Sequence, residues 1–183
     1  MADVFLEQRF DPPVSASGLR EQFRLASNCF EMHRIGWQAS LLSADGQHCV
    51  CQFSCADAES LRIALRQVGA NIDAIWSGTV HLAVGVSPSE QAPANVIVTR
   101  RFDEPVTLES IQAIEDAGAW CLEVHKVKFV CTFFSRDRKR MICLYCAPDA
   151  ESVRLAQRQA SMPVDQVWSF NSVRPETVRS VSG

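Results

Sequence analysis

Residues 57–62 read Asp57-Ala58-Glu59-Ser60-Leu61-Arg62, and residues 149–154 read Asp149-Ala150-Glu151-Ser152-Val153-Arg154. An aspartate just ahead of an apolar stripe at helical spacing is an N-cap signal, and a glutamate in the first turn strengthens it. The stripes are Leu61, Ala64, Leu65 and Val68 in the first copy and Val153, Ala156 and Ala160 in the second. The two hexapeptides lie 92 positions apart, and that offset extends outward without a gap. Downstream it pairs Trp76-Ser77 with Trp168-Ser169; upstream it pairs Cys51 with Cys143, Asp45 with Asp137, and Cys29, Glu31 and His33 with Cys121, Glu123 and His125. At its far end Arg9-Phe10-Asp11 meets Arg101-Phe102-Asp103, and Val4 meets Val96. About a third of positions are identical between residues 4–77 and 96–169, which reads as an internal repeat by duplication and not as a recurring short motif.

Each copy contains the same series of signals. A short apolar run (Val4 to Phe10; Val96 to Phe102) ends at Pro12-Pro13 or Pro105, as a strand stopped by proline does. A helical stripe follows, Leu19, Phe23, Ala26 and Phe30 in the first copy and Ile111, Ile114, Gly118 and Cys121 in the second. Next come alternating residues of a half-buried strand, with Ile35, Trp37, Ala39 and Leu41, or Val127, Phe129, Cys131 and Phe133, on the inner face. Asp45-Gly46 is a hairpin turn signal, and Arg138 in place of the glycine predicts a different turn in the second copy. After the capped helix, last strands are expected around Ile75 to Val86 and Val167 to Val173.

The order βαββαβ, twice, is that of the ferredoxin-like unit, and the expected fold class is α+β. The boundaries read as repeat 1 over 1–84, a linker over 85–94, repeat 2 over 95–174 and a loose tail over 175–183. A four-stranded sheet with both helices on one face needs cover on the other, which a second copy supplies. The expected assembly is a pseudo-two-fold sandwich or α/β barrel of two sheets, present as a monomer with an internal pseudo-dimer or as a homodimer.

At 183 residues and 47% hydrophobic the chain can bury a sizeable core. Its N-terminus has no basic and apolar leader, no run approaches the roughly 18 apolar residues of a membrane span, and a soluble cytoplasmic protein is expected. A formal net charge of -3 with dispersed cations argues against a nucleic-acid partner, and the basic stretch Arg136 to Arg140 reads as a solvated hairpin tip. Eight cysteines in such a chain read as thiols or metal ligands before disulfides.

The stretch Cys143-Leu144-Tyr145-Cys146-Ala147-Pro148-Asp149 through Arg154, preceded by Phe129 to Ser135 and closed by Asp165-Gln166-Val167-Trp168, resembles a bacterial family of small ferredoxin-like proteins described as nickel-binding. The opening Val4 to Phe10 fits that family's first strand, and the resemblance covers nearly all of both copies. It implies a tryptophan and then a His-Ser pair on the second strand; here the tryptophan falls on Trp37 or Phe129 and the histidine on Ala39 or Cys131. A second histidine implied on the second helix falls on Ala64 and Ala156, while the family's acidic residue matches Glu7 and, in the other copy, Thr99. The imidazoles that the resemblance leads one to expect are therefore missing, and nickel does not carry over directly.

Two constellations of this chain's own remain. Cys29-x-Glu31-x-His33 and Cys121-x-Glu123-x-His125 would each project to one face if extended, and thiolate, carboxylate and imidazole suit nickel, zinc, cobalt or copper. With Glu7 and Cys131 they form the candidate metal set, for nickel or zinc. If a helix runs through Cys29 instead, that cysteine is a core residue ahead of a polar strand entrance. Cys49, Cys51 and Cys55 share a strand face and read first as small core residues. Cys143-x-x-Cys146 lies in a strand and lacks the helix N-terminus that activates a redox thiol. There is no phosphate loop, nucleophile elbow or zincin motif, so no catalytic signature is read. Two functions follow as expectations: a small metal-binding protein for sequestration or sensing, or a protein that binds or cyclises an organic molecule in an inter-sheet cavity lined by Trp37, Phe129, Phe133 and Tyr145.

Overall fold

The computed structural model describes residues 1–85 and 94–176. Val86, most of the expected linker and the end of the expected tail lie outside the described residues. The element order is β1 (Ala2–Arg9), α1 (Ala16–Leu25), α2 (Ser27–Met32), β2 (Gly36–Ser43), β3 (His48–Cys55), α3 (Ala58–Gln67), β4 (Ala74–Leu82), then β5 (Val96–Arg101), α4 (Leu108–Ala117), α5 (Ala119–Val124), β6 (Lys128–Ser135), β7 (Arg140–Cys146), α6 (Ala150–Gln159) and β8 (Gln166–Val173). The ferredoxin-like order is thus present twice, with the first helix of each copy broken in two. Two compact units result, Met1–Trp76 with Ser172–Gly183, and Ser77–Asn171.

In the first unit β3 runs antiparallel between β1 and β2, with Leu6 opposite Cys51 and Leu41 opposite Val50. The first residues of β4 are tied to β1: the Asp73 N–H donates to the Glu7 carbonyl at 3.0 Å, and Trp76 packs on Phe5 with ring centroids 4.5 Å apart. In the second unit the antiparallel order is β8–β5–β7–β6, and Gly78 to Leu82 of β4 pair with β6 as a fifth strand.

The repeated caps form as their sequence dictates. Asp57 and Asp149 accept the backbone N–H of Ser60 and Ser152 at 2.8 and 2.7 Å, and Ser15 and Thr107 cap α1 and α4 in the same manner.

Three local expectations are corrected. The continuous first helix breaks at Ala26 and Gly118, each with near-helical φ but ψ close to zero. At Gly118 a Cβ would lie 2.5 Å from that of Ala160, the C-cap of α6, so the close approach there needs a residue without one. The strict alternation on β2 and β6 stops at bulges between Trp37 and Ala39 and between Phe129 and Cys131. Beyond them Ser40 and Thr132 are buried, which alternation assigns to the outer face. The two β-hairpin tips also match: Gly46 and Arg138 both take positive φ, 73° and 60°, and their carbonyls accept the equivalent backbone N–H groups of Val14 and Val106. A shared Asx turn imposes that geometry, since Asp45 and Asp137 each accept a serine hydroxyl and the N–H two residues on, so the arginine adopts the backbone a glycine would.

Candidate functional site

The two units place different chemistry at equivalent core positions. In the first, Phe23 of α1 meets Phe53 of β3 and Trp37 of β2 with centroids 5.5 and 4.7 Å apart, Phe30 of α2 packs on both phenylalanines, and Leu65 of α3 is fully buried beside them. Gln8 on β1 donates from Nε2 to the Asn71 carbonyl at 2.6 Å.

In the second unit the residues 92 positions on are Glu115, Tyr145, Phe129, Gln157 and, in place of Gln8, Arg100. Arg100 is only 1% exposed. Its Nη2 donates to Gln157 Oε1 at 2.6 Å and to the Tyr145 hydroxyl at 3.4 Å, and that hydroxyl donates to Glu115 Oε1 at 3.4 Å. A hydrogen-bonded chain therefore runs from α6 through β5 and β7 to α4. The Nε and Nη1 of Arg100 have no protein partner.

The electrostatics follow from burial. Desolvation opposes the charge on Arg100, while Cys143, Tyr145 and Glu115 in their ionised forms would each oppose the loss of its proton, so it remains a cation. Burial pushes the Glu115 carboxyl up, against the downward pull of Arg100 and of the Tyr145 hydrogen bond. Burial likewise raises Tyr145 and Cys143, so both stay neutral.

Glu115 also lines a cleft of about 300 Å³ between α4 and the sheet, within this unit. Leu82, Leu108, Ile111, Phe129 and Met141 give it apolar walls, and His81, Glu109, Gln112, Glu115, Thr132 and Cys143 its polar points. Its volume is at the lower end of what small-molecule sites occupy. Thr132 is held by its hydroxyl to the Ile142 carbonyl at 3.0 Å, and the hydroxyl lies 3.1 Å from Cys143 Sγ. His81 Nε2 is 2.7 Å from the Thr79 hydroxyl.

The candidate metal set is placed otherwise. Cys29 and Glu31 lie within α2 and His33 is its C-cap; Cys121 and Glu123 lie within α5 and His125 is its C-cap. The premise of an extended segment is thereby corrected: on a helix, residues two apart point to opposite sides, so Glu31 leaves the face shared by Cys29 and His33. His125 instead meets Gln159 Oε1 at 2.9 Å, and Glu7 accepts from Trp76 Nε1 at 2.8 Å. Cys131 is buried on β6, where burial raises its thiol to about 12. Among the described residues no three histidine, cysteine or acidic side chains are grouped to hold an ion. Among the described residues the candidate set is thus not gathered to hold nickel or another late transition metal.

All eight cysteines are free thiols. Cys49 and Cys51 lie with Sγ atoms 3.4 Å apart on the buried face of β3, and Cys143 and Cys146 sit within β7. Of the residues named for an organic ligand, Phe129 lines the cleft and Tyr145 stands behind it in the chain to Arg100; Trp37 packs in the core of the first unit. Arg100, Glu115 and Gln157 are absent from the sequence-based candidates. The signal that finds them is the repeat alignment, which sets Arg, Glu and Gln against Gln, Phe and Leu at positions buried in the first copy.

No helix among the described residues is long and apolar enough to cross a membrane. Residues 97–169, all within the second unit, match the model of a family described as nickel responsive protein SCO4226-like. The structure of SCO4226 from Streptomyces coelicolor A3(2) is similar at 19% identity over 40% of this chain and 91% of that one, with a TM-score of 0.37. A mutant chlorite dismutase from Candidatus Nitrospira defluvii, in complex with cyanide, is 12% identical and covers 92% of this chain and 90% of that one at a TM-score of 0.50. A heme-binding protein from Thermus thermophilus is 6% identical over 93% of this chain and 90% of that one, at 0.45. No protein of curated function matches the chain. The likeness to chlorite dismutase shows a shared α+β fold, and at such identity nothing more.

Proposed function

We propose that this chain, a soluble cytoplasmic protein of two ferredoxin-like repeats (1–84 and 95–174), binds a small organic molecule in the cleft beneath α4. What supports the reading is the conversion of an aromatic core into a cleft with a polar wall. Where Phe23 fills the space under α1, Glu115 leaves room under α4 and brings a carboxyl to the edge of it. Apolar walls with a few fixed polar groups are the ordinary make-up of a ligand site. The test is NMR of protein labelled at the methionine methyls, titrated with 4-phenylbutan-1-ol. The Met141 signal is expected to shift while that of exposed Met32 stays, and an unmoved Met141 signal refutes the proposal.

Metal binding is the second reading, favoured by the family match over residues 97–169. It requires Cys29, Glu31, His33, Cys121, Glu123 and His125, with Glu7 and Cys131, to be drawn together from the positions they occupy. It stands only if elemental analysis of fresh protein, or titration with nickel, zinc and copper under reducing conditions, finds an ion that a Cys29, His33, Cys121, His125 quadruple variant loses.

A further inference from the structure

We infer that the ligand of this cleft is a small organic acid with an apolar body, and that Arg100 is the residue that receives its carboxylate. The inference rests on the cleft reading and adds the chemical class. Arg100 is almost fully enclosed, yet no protein group takes the N–H of its Nε or Nη1. A buried guanidinium normally has its five donors matched by carboxylate or carbonyl oxygens, because each unmatched donor has given up water for nothing.

The scaffold does not demand the charge. Gln8 occupies the same position in the first unit and is satisfied locally by the Asn71 carbonyl. Nor is the charge consumed by Glu115, which receives its hydrogen bond from Tyr145 at 3.4 Å and forms no ion pair with Arg100. Glu115 lines the cleft and is joined to the guanidinium through the Tyr145 hydroxyl, with 3.4 Å on each side, so Arg100 stands one hydroxyl behind the cleft wall. An incoming carboxylate replaces the Glu115 carboxyl as the anion facing Arg100 and Tyr145, while the acid's apolar body lies against Leu108, Ile111, Phe129 and Met141. Planar oxyanions suit a guanidinium better than any other side-chain donor.

The experiment is calorimetric titration of the full chain with 4-phenylbutyrate, 4-phenylbutan-1-ol, 4-phenylbutylamine and acetate. The acid is expected to bind about tenfold or more tightly than the alcohol, and acetate and the amine more weakly than the alcohol. Arg100→Gln, which installs the side chain of the first unit, removes the preference of acid over alcohol and leaves alcohol binding in place. Glu115→Gln keeps Arg100 and deletes the competing carboxylate, so affinity for the acid rises several-fold. Should Arg100→Gln fail to fold, the Glu115→Gln result and the wild-type ratio decide. An alcohol that binds as well as the acid, or an amine that binds better, overturns the inference and leaves the cleft reading standing. Acetate binding as tightly as phenylbutyrate also overturns it, leaving a simple anion site. Binding of none of the four refutes both.

Discussion

Removing Gln157 alone and removing the whole polar chain are expected to change stability in opposite directions. Gln157→Leu installs the residue that the first unit has at Leu65, but strands Arg100: the 2.6 Å bond from Nη2 is lost and only the 3.4 Å contact to Tyr145 remains. A hydrogen bond to a buried charge contributes about 1.5–3 kcal/mol, and the guanidinium is already short of partners at Nε and Nη1, so the expected cost is near the upper figure. Combining it with Arg100→Gln, Glu115→Phe and Tyr145→Phe gives the second unit the first unit's side chains at these four positions. Replacing a buried ionic cluster by packed residues of similar volume is commonly neutral or stabilising by about 1–4 kcal/mol. By the repeat, position 100 corresponds to Gln8 and Pro163 to Asn71, whose carbonyl accepts from Gln8. Urea unfolding of wild type, the single variant and the quadruple variant, read as midpoint and slope, measures both numbers. A quadruple variant less stable than Gln157→Leu would refute the argument that the two cores are interchangeable packings of one scaffold.

Two further outcomes follow from the geometry. Arg138→Gly is expected to raise stability by about 1 kcal/mol, because a left-handed backbone costs an L-residue about that much, and unchanged or lower stability in urea unfolding contradicts it. Stability against pH should have two components of opposite sign. Asp57 and Asp149 are held below the ordinary value of 3.8 by the backbone N–H of Ser60 and Ser152, and Asp45 and Asp137 by the hydroxyls of Ser43 and Ser135, so what they contribute is complete above that value and lost as pH falls through their lower folded values. Glu115 is raised above 4.5 by burial, so the folded chain binds the proton more tightly than the unfolded one, and stability falls as pH rises from 4.5 through its folded value. The difference between wild type and Glu115→Gln should widen over that upper range; parallel curves there would be evidence against a half-buried carboxyl of raised value at this position.

Much of the scaffold is legible in the chain because its signals are local. The caps at Asp57 and Asp149 need three residues to declare themselves, and the strand and helix periods need about eight. The site is not local. The bonds of Arg100 reach across 45 and 57 positions and that of Tyr145 across 30, so no window of sequence holds them together. The apolar stripe of the fourth helix hides the site further, because hydrophobicity draws it through Ile114, which is 37% exposed, when the residue aligned with Phe23 is Glu115. Hydrophobicity points to isoleucine, and the repeat points to glutamate. The convergence expected of the Cys-x-Glu-x-His triplets turns on backbone state: the same spacing converges on a strand and disperses on a helix, and the breaks at Ala26 and Gly118 give each triplet its own short helix.

The chain has a single tyrosine, and it is Tyr145. Its phenol is fully buried and stands midway between the guanidinium and the carboxyl. The polar chain therefore comes with its own spectroscopic address: vibrational or isotope-edited signals of tyrosine arise from one ring in this protein, and any change in what Arg100 or Glu115 contacts is reported there without a label having to be introduced.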